Sequence, residues 1–370
     1  MFAYLKRTAE RLFDRSGDDT SVPVFDGALK PNHLLDTAEV VFEYPPLSDM
    51  VIDSHGKLVV ACGQSVFELE SEQNGAAYSK SRLVAELPSP VNALCKFGDG
   101  LVAATDNGLS FVTGKHAGLE VTSLDGKPAQ CISAISEGQD GLLFITQGSA
   151  QTPYEDWATD LLNGGKTGRF LAYDPASGHA SVNASDLAYA YGVCSDGQRT
   201  LVSESWAHRV LVWRNGQITS GLSELPGYPS RISNASDGGF WLTLFAPRSQ
   251  LLEFVLRETE FRSEMMRTVD PKYWIAPALS SGKDFLEPLQ QGGVRQMGVL
   301  KPWAPARSYG LVVKLSADLV PLYSLHSRVG GLNHGIVAAL ESDGSLLALS
   351  KGSGRILRVP LSLASHQLQD

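Results

Sequence analysis

The chain has 370 residues, 43% of them hydrophobic and 19% charged, with a formal net charge of −9 and a pI near 5.4. That is enough apolar material for a large core that needs neither disulfides nor metal for its stability. An acidic balance with no basic stripe excludes nucleic acid as a main partner. The four cysteines, Cys62, Cys95, Cys131 and Cys194, show no C-x-x-C spacing, so they read as small buried thiols rather than a zinc knuckle or a redox pair.

In chain order, the first stretch, MFAYLKRTAERLFDRSGDD, is no signal peptide, because Lys6, Arg7, Glu10 and Arg11 interrupt any apolar run. A cytoplasmic location is expected on that reading. Phe2, Leu5, Ala9, Leu12 and Phe13 fall at helical spacing, so residues 1–22 read as an amphipathic helix and linker. Residues 1–16 would pack on the body, on a partner subunit, or at a membrane surface.

From residue 23 onward one phrase recurs: a short β-rich run, a Gly-centred turn and a second apolar run. It reads DMVIDSHGKLVVA from Asp49, NALCKFGDGLVAAT from Asn92, ISAISEGQDGLLFIT from Ile132, GVCSDGQRTLVSES from Gly192, RISNASDGGFWLTL from Arg231 and GIVAALESDGSLLALS from Gly335. Each phrase carries the signature of a hairpin. The spacing and the further strands SVFEL, GLSFV, RFLAYD, RVLVW, GLVVKLS and RILRV predict about six four-stranded blades, an all-β propeller over residues 23–370. Two stretches break the rhythm. Residues 149–167 interrupt the third blade with Tyr154, Asp156 and Trp157. Residues 245–308 interrupt the fifth, starting with a helix over RSQLLEFVLRETEFRSEMMRTV and continuing to Tyr273, Trp274 and Trp303. Insertions of this size read as a lid over the channel mouth or as an oligomer contact.

The phrases FDGALKPNHLLDTAEVV, GRFLAYDPASG, YGVCSDGQRTLVSESWAHRVLVW, PGYPSRISNASDGGFWLTL and SLHSRVGG together resemble the strictosidine-synthase-like proteins, in the pattern of adipocyte plasma-membrane-associated-protein-like members. That family is similar, more remotely, to the gluconolactonase and paraoxonase propellers. The resemblance implies a six-bladed propeller with a pocket at one end of its channel. In calcium-dependent relatives, oxygen ligands converge on the axis, as a hard cation requires. Here the positions implied for those ligands hold Ser48 beside Asp49, Cys131, Tyr191 in Ala190-Tyr191-Gly192, and Ser230 in Pro229-Ser230-Arg231. The resemblance therefore implies a lost metal site, and no cofactor is expected. The acid/base Glu of plant strictosidine synthases falls near Val337, four residues before the Glu341-Ser342-Asp343-Gly344 turn, so that template supplies no mechanism either.

If strand starts line the channel, Asp49, Asn92, Cys131, Tyr191, Arg231 and His334 converge, one from each blade. His334 is the general-base candidate, or a histidine hydrogen-bonded at a turn. Arg231 suits a carboxylate or oxyanion, or else pairs with Asp49 across the channel. Tyr191 is a proton donor or a plug, and Cys131 is a nucleophile only beside a cation, otherwise a buried thiol. With catalytic His334, Tyr191 and Arg231, the substrate-binding set is Asp49, Asn92, Cys131, Tyr154, Trp157 and Ser230. Trp206, His208 and Trp241 are further wall candidates or blade packing.

The expected function is a metal-independent enzyme that hydrolyses an ester or lactone, or runs a lyase or condensation reaction, on an apolar small molecule. A calcium-dependent lactonase or esterase and a non-catalytic ligand- or protein-binding propeller are the alternatives.

Overall fold

Each of the six phrases folds into the two inner strands of a four-stranded antiparallel sheet, and the six sheets form a six-bladed β-propeller. The structure is a computed structural model that describes residues 22–72, 77–284, 286–288, 295–296, 299–300 and 307–365. The innermost strands, Leu47–Ile52, Val91–Phe97, Ile132–Glu137, Ala190–Ser195, Gly227–Asn234 and Ile336–Ser342, touch in sequence around the axis and close the ring. The second strands Leu58–Cys62, Gly100–Thr105, Leu143–Gln147 and Phe240–Pro247 are buried along their whole length. Neighbouring blades cover both of their faces, which is why they read as continuous apolar runs and not as alternating ones. Between the first and second blades, for example, Val59, Ala61 and Val66 pack on Val91, Leu94 and Ala103. Each fully buried Val or Leu contributes roughly 1.5–3 kcal/mol.

The Asp-Gly punctuation acts through backbone angles. Asp343 and Gly344 stand at φ +47° and +71° between Ile336–Ser342 and Ser345–Ser350, the two left-handed positions of a two-residue hairpin. Both ends of the chain build the last blade. Glu39–Glu43 pairs with Arg355–Pro360, and Arg355 and Arg358 reach Glu43 at 3.0 Å and Glu39 at 2.8 Å.

Near the axis, hydroxyls of one blade bond carbonyls of the next. Ser133 donates to the Ala190 carbonyl at 2.7 Å, Thr146 to Tyr191 at 2.7 Å, Ser203 to Ser230 at 2.5 Å and Thr243 to Val337 at 3.0 Å. Ser230 takes part in the same stitching: fully buried, its hydroxyl meets Thr243 Oγ1 at 2.7 Å and the Ile336 carbonyl at 3.3 Å. It is not a substrate contact, because its oxygen is committed to the seam between blades.

The insertion in the third blade carries helix α1, Trp157–Leu162. The fifth-blade insertion carries two helices where the periodicity predicts one: α2, Gln250–Arg257, and α3, Thr259–Thr268. The break is at Glu258, whose ψ of +76° leaves the helical region, and Ser249 caps α2 by accepting from the Leu252 amide at 3.2 Å. The two insertions share one apolar cluster, in which Leu162 of α1 meets Val255, Met265, Trp274 and Ala276. The amphipathic stretch over residues 1–21 and Trp303 lie outside the described residues. Among the described residues no helix is long and apolar enough to cross a membrane.

Candidate functional site

The axis of the propeller is held by a side chain. Arg231, on the innermost strand of the fifth blade, reaches across the channel. Its guanidinium pairs with the Asp49 carboxylate of the first blade and donates to the Asn92 carbonyl of the second at 2.6 Å and the Ser133 carbonyl of the third at 2.9 Å. Asp49 in turn accepts from the amides of Leu94 at 2.6 Å and Met50 at 2.8 Å. Burial pushes the Asp49 carboxyl upward, opposed by Arg231 and those two amides. Burial is the largest single influence on Arg231 and would weaken its charge, but the Asp49 carboxylate together with the Tyr154 and Tyr191 phenols outweighs it and holds the guanidinium above its ordinary value.

A carboxylate and two carbonyls from three blades are the oxygens that a hard cation would use. Here a covalently fixed cation sits among them, so a calcium ion at this place would meet like charge and occupied lone pairs, and the residues present do not fit the metal. Among the described residues no group of three or more His, Cys, Asp or Glu could hold a metal ion.

The guanidinium divides the channel in two. Below it a cavity of about 620 Å³ is lined by the later residues of the innermost strands, with Lys96, Glu137 and Glu341 among them. On the other side, at the strand starts, lies an aromatic mouth built by Tyr154, Trp157, Tyr189, Tyr191, Trp206, Phe245, Leu279 and Lys351. Its rings pack edge to face or tilted, Trp157 on Phe245 at 5.2 Å and Tyr189 on Trp206 at 4.5 Å. They leave about 10 Å³, roughly the space of one water. The phenols of Tyr154 and Tyr191 share a hydrogen bond of 2.8 Å. Burial pushes Tyr154 up to about 12 and Tyr191 well above its usual range, so both stay neutral donors. Lys351 lies 4.7 Å from the Tyr154 ring and 3.2 Å from Glu155. Trp206 donates to Asp160 at 2.7 Å.

The expected convergence of one residue per blade is only partly met. Tyr191, Tyr154 and Trp157 do come together at the mouth, joined by Trp206. Arg231 and Asp49 meet each other on the axis, so Arg231 is committed to a carboxylate of its own chain rather than open to a substrate's. Asn92 turns its side chain onto Asp106 at 3.2 Å and offers its carbonyl to Arg231. Cys131 is fully buried behind Tyr189, and burial pushes its thiol up to about 12, so it is neither nucleophile nor ligand contact.

His334 does not join the channel set. It precedes the innermost strand of the sixth blade, and its ring bonds Ser308 and the Arg328 carbonyl beside Tyr309, away from Tyr191 and Arg231. His208 is a buried neutral ring packed on Tyr228, and Trp241 is core, its indole donating to Glu341 at 2.6 Å.

Four mouth residues, Tyr189, Phe245, Leu279 and Lys351, were not anticipated, and neither was Asp106. Asp106 accepts from the amides of Cys131 at 3.1 Å and Tyr154 at 3.2 Å and so seats the insertion. The alternation in Tyr189-Ala190-Tyr191 is the one sequence pattern that could have pointed to any of them.

No family model matches the chain. It is 32% identical over 182 residues to the strictosidine synthase-like 10 protein of Arabidopsis thaliana, covering 46% of this chain and 48% of that protein. The adipocyte plasma membrane-associated protein of Bos taurus is 24% identical over 317 residues, 72% of this chain and 73% of that protein. That of Salmo salar is 22% identical over 369 residues, 92% and 82%. Its homologues are strictosidine synthase-like and adipocyte plasma membrane-associated proteins. The chain spans about half the length, or less, of the strictosidine synthase-like relatives it matches. Among solved structures, a gluconolactonase of Xanthomonas campestris superposes with a TM-score of 0.53 at 12% identity, over 88% of each chain. Regucalcin of Agrobacterium tumefaciens, described as a calcium-binding protein, gives 0.54 at 12%, over 87% of this chain and 93% of that one. These likenesses show the propeller fold that this chain shares with gluconolactonase-type proteins.

Proposed function

We propose that this chain is a metal-independent small-molecule propeller whose aromatic mouth takes a flat, largely apolar ligand bearing a carbonyl or carboxylate oxygen, of the ester, lactone or carboxylic-acid class. The observation that carries this reading is the Arg231 guanidinium seated among the axial oxygens, which supplies in covalent form the charge a bound cation would bring. Tyr191 would donate to the ligand oxygen while accepting from Tyr154, Lys351 would complement a negative charge, and the rings of Trp157, Trp206 and Phe245 would cover the apolar face. Among the described residues the mouth offers donors and no side chain poised as a base, so binding and polarising a carbonyl is what it supports, and hydrolysis there is not part of the reading. Entry requires Leu279 and the two insertions to move aside as a lid, since the space left is about that of one water.

Trp157 and Trp206 make the test direct. Titrating the protein with aromatic esters, lactones and carboxylates in the presence of a chelator should give saturable quenching of tryptophan fluorescence. Tyr191→Phe should weaken binding by about tenfold, the loss of a ~1.4 kcal/mol hydrogen bond. Binding that appears only with added Ca²⁺, or that is indifferent to Tyr191→Phe and Trp157→Ala, would overturn the reading.

A further inference from the structure

A second constellation lies away from the channel, between the fifth-blade insertion and the sixth blade. Here a cavity of about 300 Å³ is lined by Ser281, Lys283, Leu332, His334, Ser353 and Arg355, and none of these lines the aromatic mouth. Behind it runs a chain of hydrogen bonds. The half-buried Ser281 hydroxyl bonds the fully buried Ser308 hydroxyl, and Ser308 bonds His334 Nδ1 at 2.7 Å. His334 Nε2 lies 2.9 Å from the Arg328 carbonyl.

A carbonyl oxygen can only accept, so Nε2 carries the proton and Nδ1 presents its lone pair to Ser308. The Ser308 proton is then spent on His334, which leaves its oxygen to accept from Ser281. Each group thus has one role, and the direction of proton flow is set from the cavity inward. Burial holds the His334 imidazole below its ordinary range, with the Arg328 carbonyl and Asp36 opposing, so the ring is neutral and its Nδ1 lone pair faces the Ser308 hydroxyl. Tyr309 lies nearly parallel to the ring, with centroids 6.4 Å apart and planes at 18°, and the two hydrogen bonds set the ring's orientation.

The backbone is built to bring these parts together. A Cβ at Gly352 would lie 1.9 Å from the Leu279 carbonyl, and one at Gly335 would lie 2.7 Å from it. The segment that carries Ser281 can therefore approach the sixth blade only because both positions are glycine.

We propose that Ser281 is the nucleophile of a rim esterase site, with Ser308 and His334 as its proton relay and with small esters bearing an anionic group as substrates. Ser281 Oγ bonds to the ester carbonyl carbon, and the carbonyl π pair moves onto oxygen. The Ser281 proton passes to Ser308 as the Ser308 proton passes to His334 Nδ1. Collapse breaks the bond to the alcohol, which leaves with that proton returned through the same relay. Water then attacks the acyl ester of Ser281 by the same route, releasing the carboxylic acid and restoring both hydroxyls. Lys283 and Arg355 on the rim select negative charge in the substrate, Arg355 with part of its charge turned to Glu43. The site stands whether or not the channel mouth binds a ligand.

An alkyl fluorophosphonate tests it, because this probe forms a Ser–O–P bond with loss of fluoride only at activated serines. In the full chain the label should map by peptide mass to Ser281 and vanish in Ser281→Ala. Ser308→Ala should slow labelling on the order of 10²-fold, the loss of relayed base assistance, and Ser308→Thr, which keeps the hydroxyl, should recover most of it. Thermal melts of the variants should match wild type within a few degrees, which separates relay from folding. Labelling at Ser281 no faster than in the urea-unfolded chain, or a rate unchanged in Ser308→Ala, would overturn the proposal.

Discussion

Replacing Arg231 by Met keeps much of the volume and removes the charge, and the structure says what is left behind. The Asp49 side chain, 3% exposed, would keep only the amides of Leu94 and Met50, and the carbonyls of Asn92 and Ser133 would lose their donors. Breaking a buried pair from one side costs about 3–5 kcal/mol, because the surviving charge stays desolvated. The low end applies here, since the 620 Å³ cavity beneath can bring water to the freed carboxylate. About 3 kcal/mol is roughly a 10²-fold shift in the unfolding equilibrium, readable as a lower urea midpoint by tryptophan fluorescence. Adding Asp49→Asn to the variant should recover part of the loss, and the double-mutant cycle isolates the pair. The vacated axis would also hold a carboxylate and two carbonyl oxygens without a cation, so millimolar Ca²⁺ should raise the melting temperature of Arg231→Met and leave wild type unmoved. A variant within about 0.5 kcal/mol of wild type, the scale of an ordinary surface change, would refute the argument, as would a wild type that gains as much from Ca²⁺.

Three further outcomes follow from other parts of the molecule. Burial depresses His208 and His326 to about 3. The unfolded chain therefore takes up protons below ~6.5 that the folded chain refuses, and stability, intact above that pH, should fall by roughly 2–3 kcal/mol per histidine between pH 6.5 and 4.5; urea midpoints that stay flat over this window would contradict it. The thiols of Cys95, Cys131 and Cys194 are pushed to about 12 and that of Cys62 to about 11, so iodoacetamide at pH 8 should modify none of the four until urea unfolds the chain, as a mass shift would report. On the closing strand, Phe42 is 8% exposed and Val40 39%, so Phe42→Ala should cost about 3 kcal/mol and Val40→Ala under about 0.5, and equal urea midpoints would show that the ring is not closed by this strand.

The blades were legible because a hairpin writes itself locally. Gly-centred turns need left-handed backbone that few other residues supply, and strands covered on both faces need unbroken apolar runs, so six repeats of that phrase leave little choice of architecture. The two insertions and the helical character of the second were readable for the same reason, as departures from the repeat. The break at Glu258 was not, because no Gly or Pro marks it; it shows only in the fold, where Val255 of α2 and Met265 of α3 share one cluster with Trp274.

The channel residues could be named from their place at strand starts, but their partners could not. Which way Arg231 turns depends on a carboxylate 182 residues earlier in the chain and on two carbonyls from other blades, and no spacing encodes that. His334 occupies the same kind of position as Tyr191, yet it faces the rim, because the insertion brings Ser308 to it and Tyr309 alongside it. The sequence by itself therefore determined the repeat, the turns, the covered strands and the chemistry on offer. The tertiary structure alone decided which donor met which acceptor: a buried charge or ring nitrogen is held by whatever polar group closure brings within about 3 Å, and closure is a property of the whole ring.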